Sequence, residues 1–161
     1  PPDGDPLLGI KNVFEAIGMG KVSTSAEGAR GLGFLRDHDG VTLDRDRLIG
    51  DAKQIALGLA RGGYRPPSRQ REITVYGEPI FSALKLELHL MHRAQYISDH
   101  DVVVGTHLAR ILSGDSLSGK QTVSEQYLLD LEREAFLSLT GEAKTLERIQ
   151  FMLKKGKPLR N

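Results

Sequence analysis

Apolar residues at three- and four-residue spacing, punctuated by helix caps and glycine stops, run through nearly the whole chain, and this pattern restricts the fold more than any other feature. Pro6 suits a first helical turn because its ring fixes φ. Leu7, Ile10, Val13, Phe14 and Ile17 then recur on one face as far as Gly18 and Gly20. Thr24-Ser25-Ala26-Glu27 has the Thr-x-x-Glu form of a capping box and heads a short helix stopped by Gly31 and Gly33. A polar loop, Arg36-Asp37-His38-Asp39-Gly40, follows, with Asp39-Gly40 as its turn signal. Residues 44–61 place Leu48, Ala52, Ile55 and Leu59 on one face before Gly62-Gly63.

Tyr64-Arg65-Pro66-Pro67-Ser68-Arg69-Gln70-Arg71 has no apolar period and reads as a linker, and Ile73-Thr74-Val75 reads as one short strand. Four helices are predicted beyond it. The first, 79–95, carries Phe81, Leu84, Leu88 and Met91, and the second, 99–113, carries Val104, Leu108 and Ile111 behind Ser98 as N-cap. A second box, Thr122-Val123-Ser124-Glu125, heads a helix with Leu128, Leu131, Ala135 and Leu139, and the last carries Leu146, Ile149 and Leu153 up to Gly156 and Pro158. The expected fold is all-α, with six to seven amphipathic helices. It is divided into a helical segment 1–63, a Pro/Arg-rich linker 64–78 and a helical subdomain 79–161.

Composition supports a packed core, since 39% of the residues are hydrophobic and 27% charged. Twenty-two Lys and Arg against 21 Asp and Glu leave a formal net charge of +1, so nothing global draws the chain to nucleic acid or an anionic membrane. The absence of cysteine excludes a disulfide scaffold, a thiol nucleophile and a Cys-ligated zinc. No apolar run approaches the roughly 18 residues of a spanning helix, and a cytoplasmic location is expected. The opening Pro1-Pro2-Asp3, with the first methionine at Met19, points to a processed product or a piece of a longer protein.

The residues that could carry chemistry are few. His89 and His92 stand three apart on one helix, with Asp99, His100, Asp101 and His107 on the next. That spacing permits a metal site but also describes boundary histidines on a polar face, which is the reading preferred here. Asp37-His38-Asp39 and Asp99-His100-Asp101 resemble acid/base pairs, yet adjacent side chains diverge and both triplets fall where turns and caps favour Asp. Gly18, Gly20, Gly31 and Gly33 fit helix ends and form no phosphate loop. Asp130, Glu132, Arg133 and Glu134 fit a solvated face with contacts from Asp130 to Arg133 and Glu134. The one strong asymmetry is Lys154, Lys155, Lys157 and Arg160, a cationic tail suited to a helix C-terminus or to a phosphorylated small ligand.

Two segments carry a family resemblance. Lys21-Val22-Ser23-Thr24-Ser25-Ala26-Glu27-Gly28-Ala29-Arg30-Gly31-Leu32-Gly33-Phe34, followed by a long helix, is similar to the stretch after the active site in the crotonase (enoyl-CoA hydratase/isomerase) superfamily. Val123-Ser124-Glu125-Gln126-Tyr127-Leu128-Leu129-Asp130-Leu131-Glu132-Arg133-Glu134-Ala135-Phe136, with the ending Gly156-Lys157-Pro158-Leu159-Arg160-Asn161, resembles the C-terminus of bifunctional fatty-acid oxidation proteins. Those join a 3-hydroxyacyl-CoA dehydrogenase to an enoyl-CoA hydratase. Residues 78–121 match short crotonases poorly and look like an elaboration of the bifunctional type.

The resemblance implies that the family's oxyanion-hole amides, its acid/base carboxylates and the dehydrogenase's NAD loop all lie outside this sequence. No catalytic residue and no metal ligand is therefore expected here, and the chain alone is expected to be inactive; NAD and acyl-CoA belong to the parent enzyme. One carry-over remains, Phe151-Met152-Leu153-Lys154 at the place of the family's Phe-x-x-Lys. Phe151 would pack on the adenine of CoA and Lys154 would pair with a phosphate. The implied partners are the rest of the parent, acyl-CoA and further copies in a homo-oligomer. A free-standing helical interaction module and a metal-dependent enzyme using His89, His92 and His100 are the alternatives.

Overall fold

The computed structural model describes residues 4–68 and 72–161. Among them are seven α-helices, one 3-10 turn and two three-residue strands, so the fold is all-α. The helices are α1 Pro6–Gly18, α2 Ala26–Gly31, α3 Leu48–Arg61, α4 Glu78–Arg93, α5 Asp99–Ser113, α6 Glu125–Thr140 and α7 Ala143–Lys155. The strands are β1 Ile73–Val75 and β2 Gln121–Val123. The chain separates into two compact units, one of Pro1–Gly20 with Gln70–Asn161 and the other of Lys21–Arg69. Of the Pro/Arg-rich stretch, Arg69, Gln70 and Arg71 lie outside the described residues, whereas 64–68 have neither helix nor strand.

The caps show how the sequence starts its helices. Both Thr-x-x-Glu boxes are displaced: the caps are Ser25, which accepts from the Gly28 amide, and Ser124, which accepts from the Tyr127 amide. Thr122 is instead in β2 and pairs with Thr74 of β1 in an antiparallel ladder. The reciprocal box is at Ser98, whose hydroxyl accepts from the Asp101 amide while the Asp101 carboxylate accepts from the Ser98 amide. Serine and threonine cap by the same chemistry, so spacing alone did not select among three adjacent hydroxyls. The loop turn at 36–39 also precedes Asp39-Gly40, since the Asp39 amide closes onto the Arg36 carbonyl and the Asp39 carboxylate accepts from the Arg36 amide.

In the larger unit the core is Phe14, Ile80, Leu84, Leu88 and Ala109, with Leu7, Ile10, Phe81, Leu108 and Leu112 packed around it. α4 and α5 form its centre and α1 lies against α5. The fully buried residues of α5 are His100, Gly105, Ala109 and Ser113, while the expected stripe of Val104, Leu108 and Ile111 is half-buried, with Leu108 packed against the core. Small residues win because the helices approach closely: a Cβ on Gly105 would stand 2.6 Å from Leu88 Cδ2. Two further close approaches fix the ends of this pair. Gly77, at φ 62°, precedes α4 with its amide on the Ser113 carbonyl, and the Glu78 amide meets the Leu117 carbonyl. Gly114, at φ 86°, closes α5 against Val75 of β1.

The smaller unit holds α2 and α3. Arg30 ties α2 to the following loop by donating to the Asp39 carbonyl at 3.0 Å. Of the expected 44–61, α3 covers Leu48–Arg61 and the start is a 3-10 turn at Arg45–Arg47; α3 buries none of its residues. Leu48, Ile55 and Leu59, expected to face a core, are all more than half or about half exposed.

Candidate functional site

α7 is mounted with its polar side inward. Thr145 and Arg148 face the protein, whereas Leu146, Ile149 and Leu153 remain 45%, 39% and 82% exposed. The inward side works through hydrogen bonds. Thr145 Oγ1 lies 2.8 Å from Nε2 of His100, a histidine buried in the first turn of α5. Arg148 donates to Asp101 Oδ1 at 2.7 Å, to the Ser98 hydroxyl at 3.3 Å and to Asn161 Oδ1 at 2.7 Å. Asn161 in turn donates to the Lys144 carbonyl and to Glu147 Oε2. One guanidinium thus joins the N-cap of α5, the body of α7 and the chain's last residue, which holds the segment 156–161 back along α7.

An open cleft of about 720 Å³ lies beside this network, lined by the α4–α5 turn at 92–99, by Asp101 and Lys144, and by Arg160 and Asn161. The turn is closed by the Gln95 and Tyr96 amides on the His92 and Met91 carbonyls, with Gln95 at φ 60°, an uncommon conformation for a residue with a Cβ, and it presents Tyr96 71% exposed. His92 Nε2 is 2.7 Å from Asp99 Oδ1. Both carboxylates of the cleft therefore have a basic partner, Asp99 in His92 and Asp101 in Arg148. Among the described residues no ion pair engages Arg93, Lys144 or Arg160.

The histidines do not converge. His89 is exposed, His92 turns to Asp99 and His100 to Thr145, and among the described residues no three His, Asp or Glu side chains are grouped to hold a metal ion. His38 Nε2 is 3.9 Å from Asp39 Oδ1, with the His38 side chain exposed on its loop. The carboxylates of α6 divide differently from the expected pattern. Asp130 meets Arg133 at 3.1 Å, but Glu134 reaches across to Arg110 of α5 at 3.0 Å. Phe151 is half-buried and Lys154 exposed, one turn apart near the C-terminal end of α7.

Two carboxyls have pKa values displaced from the ordinary 3.8. Burial raises that of Asp101, but the Ser98 amide, the Arg148 guanidinium and the Ser98 hydroxyl together outweigh it and the net shift is downward. Asp115 is lowered by the Arg110 hydrogen bonds, two contacts of 2.7 Å, against a smaller opposing effect of burial. The same Asp115 contacts, followed by Glu134, raise the Arg110 guanidinium. Because both carboxyls release protons more readily folded than unfolded, their stabilisation is present above the ordinary carboxylate value and is lost as pH falls through the lowered folded value. Unfolding midpoints in urea should therefore fall as pH drops through and below the ordinary carboxylate range of about 4, and Asp115→Asn should flatten that profile while lowering stability at neutral pH. An unchanged slope would separate the acid sensitivity from this pair.

Sequence reasoning missed Arg148, Asn161, Arg110 and Asp115 as organising residues. Thr145, Arg148 and Phe151 do stand at i, i+3 and i+6, a second helix face visible in retrospect, but the apolar stripe beside it is the stronger signal.

No family model matches the chain, and no solved structure matches it. Among curated proteins, a probable 3-hydroxyacyl-CoA dehydrogenase of Bacillus subtilis (strain 168) is 45% identical over 157 residues, which is 98% of this chain and 20% of that protein. The chain thus spans about one fifth of the length of the curated relative it matches, and is similar along nearly all of its own length to one part of a probable 3-hydroxyacyl-CoA dehydrogenase.

Proposed function

We propose that this chain is the helical C-terminal region of a cytoplasmic bifunctional enzyme of fatty-acid β-oxidation, combining NAD-dependent 3-hydroxyacyl-CoA dehydrogenase with enoyl-CoA hydratase of the crotonase type. The observation that carries the reading is the 45% identity to a probable 3-hydroxyacyl-CoA dehydrogenase over 157 residues. The hydratase half rests on the crotonase-like stretch 21–34 and on the segment 123–136. In this reading the chain supplies no reacting group. It contributes packing surface, subunit contacts in a homo-oligomer and part of the coenzyme A site, with Phe151 against the adenine and Lys154 on a phosphate. The exposed Leu146, Ile149 and Leu153 of α7 and Leu48, Ile55 and Leu59 of α3 support the packing role, because apolar surface of this extent on a helix face calls for a cover. The same stripes are what a free-standing helical interaction module would display, and that is the competing reading.

The reading frame that encodes the chain decides between them: it should continue upstream of Pro1 through a β-rich crotonase segment, and a frame without one overturns the enzyme assignment. The coenzyme contact has its own test. Calorimetric titration of the chain with coenzyme A should show weak binding, and Lys154→Ala should weaken it by about fivefold, the value of one exposed charge-assisted contact. Equal binding by both proteins would remove Lys154 from the site.

A further inference from the structure

The cleft beside Arg148 is separate from the proposed coenzyme contact, since Lys144 stands at the opposite end of α7 from Lys154, about 15 Å along the axis at 1.5 Å per residue. We propose that this cleft binds a small organic phosphate, with Arg93, Lys144 and Arg160 holding the phosphate group and Tyr96 covering the ring attached to it. Three observations carry this. The first is charge. Asp99 and Asp101 already have His92 and Arg148 as partners at 2.7 Å, whereas no ion pair among the described residues engages Arg93, Lys144 or Arg160. With Arg93, Lys144 and Arg160 against Asp99 as the one lining side-chain carboxylate not paired with a guanidinium, the cleft keeps a positive surplus that attracts an anion.

The second is construction. Arg160 is placed by its neighbour Asn161, which is fastened to Arg148, to the Lys144 carbonyl and to Glu147. The turn opposite is closed by the Gln95 amide on the His92 carbonyl and the Tyr96 amide on the Met91 carbonyl. Both walls are thus positioned by bonds that do not involve the three cations, which lowers the ordering cost of binding. The third is size and shape. A volume of about 720 Å³ suits a small molecule. Two guanidinium forks and one ammonium match the several oxygens of a phosphate dianion better than a single carboxylate. Tyr96, 71% exposed at the rim, offers a ring face to a flat substituent.

Phenyl phosphate and inorganic phosphate are the probes, titrated into the full 161-residue chain at low salt and followed by amide chemical shifts. Phenyl phosphate should bind saturably, shift amides of 92–99 and 160–161, and weaken as salt is added. Lys144→Gln with Arg160→Gln should weaken both probes at least tenfold. Tyr96→Ala should weaken phenyl phosphate and leave inorganic phosphate unchanged. These side chains are exposed or lie at the surface, and unfolding midpoints within error of the parent will show that the variants fold. Lys154→Ala should leave phenyl phosphate binding intact while it weakens coenzyme A binding, so the two sites can fail independently. Absence of saturable binding up to about 10 mM, or equal binding by the double variant, would overturn the proposal.

Discussion

Gly77→Ala should destabilise the larger unit by roughly 3 kcal/mol or more. Gly77 sits at φ 62°, ψ −145°, where an L side chain is strained, and the added Cβ would fall 2.0 Å from the Leu117 carbonyl oxygen. No rotamer relieves that clash, because the obstacle is backbone. The backbone cannot withdraw without losing the bonds from the Gly77 amide to Ser113 and from the Glu78 amide to Leu117. Gly114→Ala meets a softer obstacle, the Val75 side chain at 2.5 Å, and should cost less despite φ 86°. Gly9→Ala is the control. It lies within α1 with nothing inside 4 Å and should gain about 0.5–1 kcal/mol. Urea unfolding followed by circular dichroism measures all three. A Gly77→Ala protein as stable as the parent would show that the turn before α4 is not held as described.

Leu84→Ala comes next, at about 3 kcal/mol. Leu84 is fully buried and touches the cluster of Phe14, Ile80, Leu88 and Ala109 that joins α1, α4 and α5. Truncation removes its methyl groups from contact with that cluster and leaves a cavity in the core. A single-domain stability of 5–15 kcal/mol makes this a large fraction. Leu86→Ala on the same helix, with Leu86 59% exposed, should change the midpoint by under about 0.5 kcal/mol. Equal effects at the two positions would contradict the orientation of α4.

Much of this fold was legible in the chain. Pro6–Gly18, the region 44–61 and the four later helices stand where the apolar period and the stops at Gly62, Gly114, Gly141 and Gly156 put them. Helix formation depends on contacts three and four residues apart, and such contacts are written locally. The candidate site was less legible. Phe151 and Lys154 were visible as a motif, but the Arg148 network was not, since Ser98, Asp101 and Asn161 come from positions up to 50 residues away.

Sequence alone determined that the chain is helical, where most of its helices start and stop, and that cysteine chemistry has no part in it. Only the tertiary structure decided which faces are covered. Periodicity says that a helix has an apolar side but is silent on what that side meets. In α4 the stripe is buried, in α5 close packing puts the fully buried positions at Gly105 and Ala109 beside a half-buried stripe, and in α7 an ion pair and hydrogen bonds turn the polar side inward. The physical reason is that packing and ion pairing are properties of two elements at once, whereas capping and helical periodicity are properties of one.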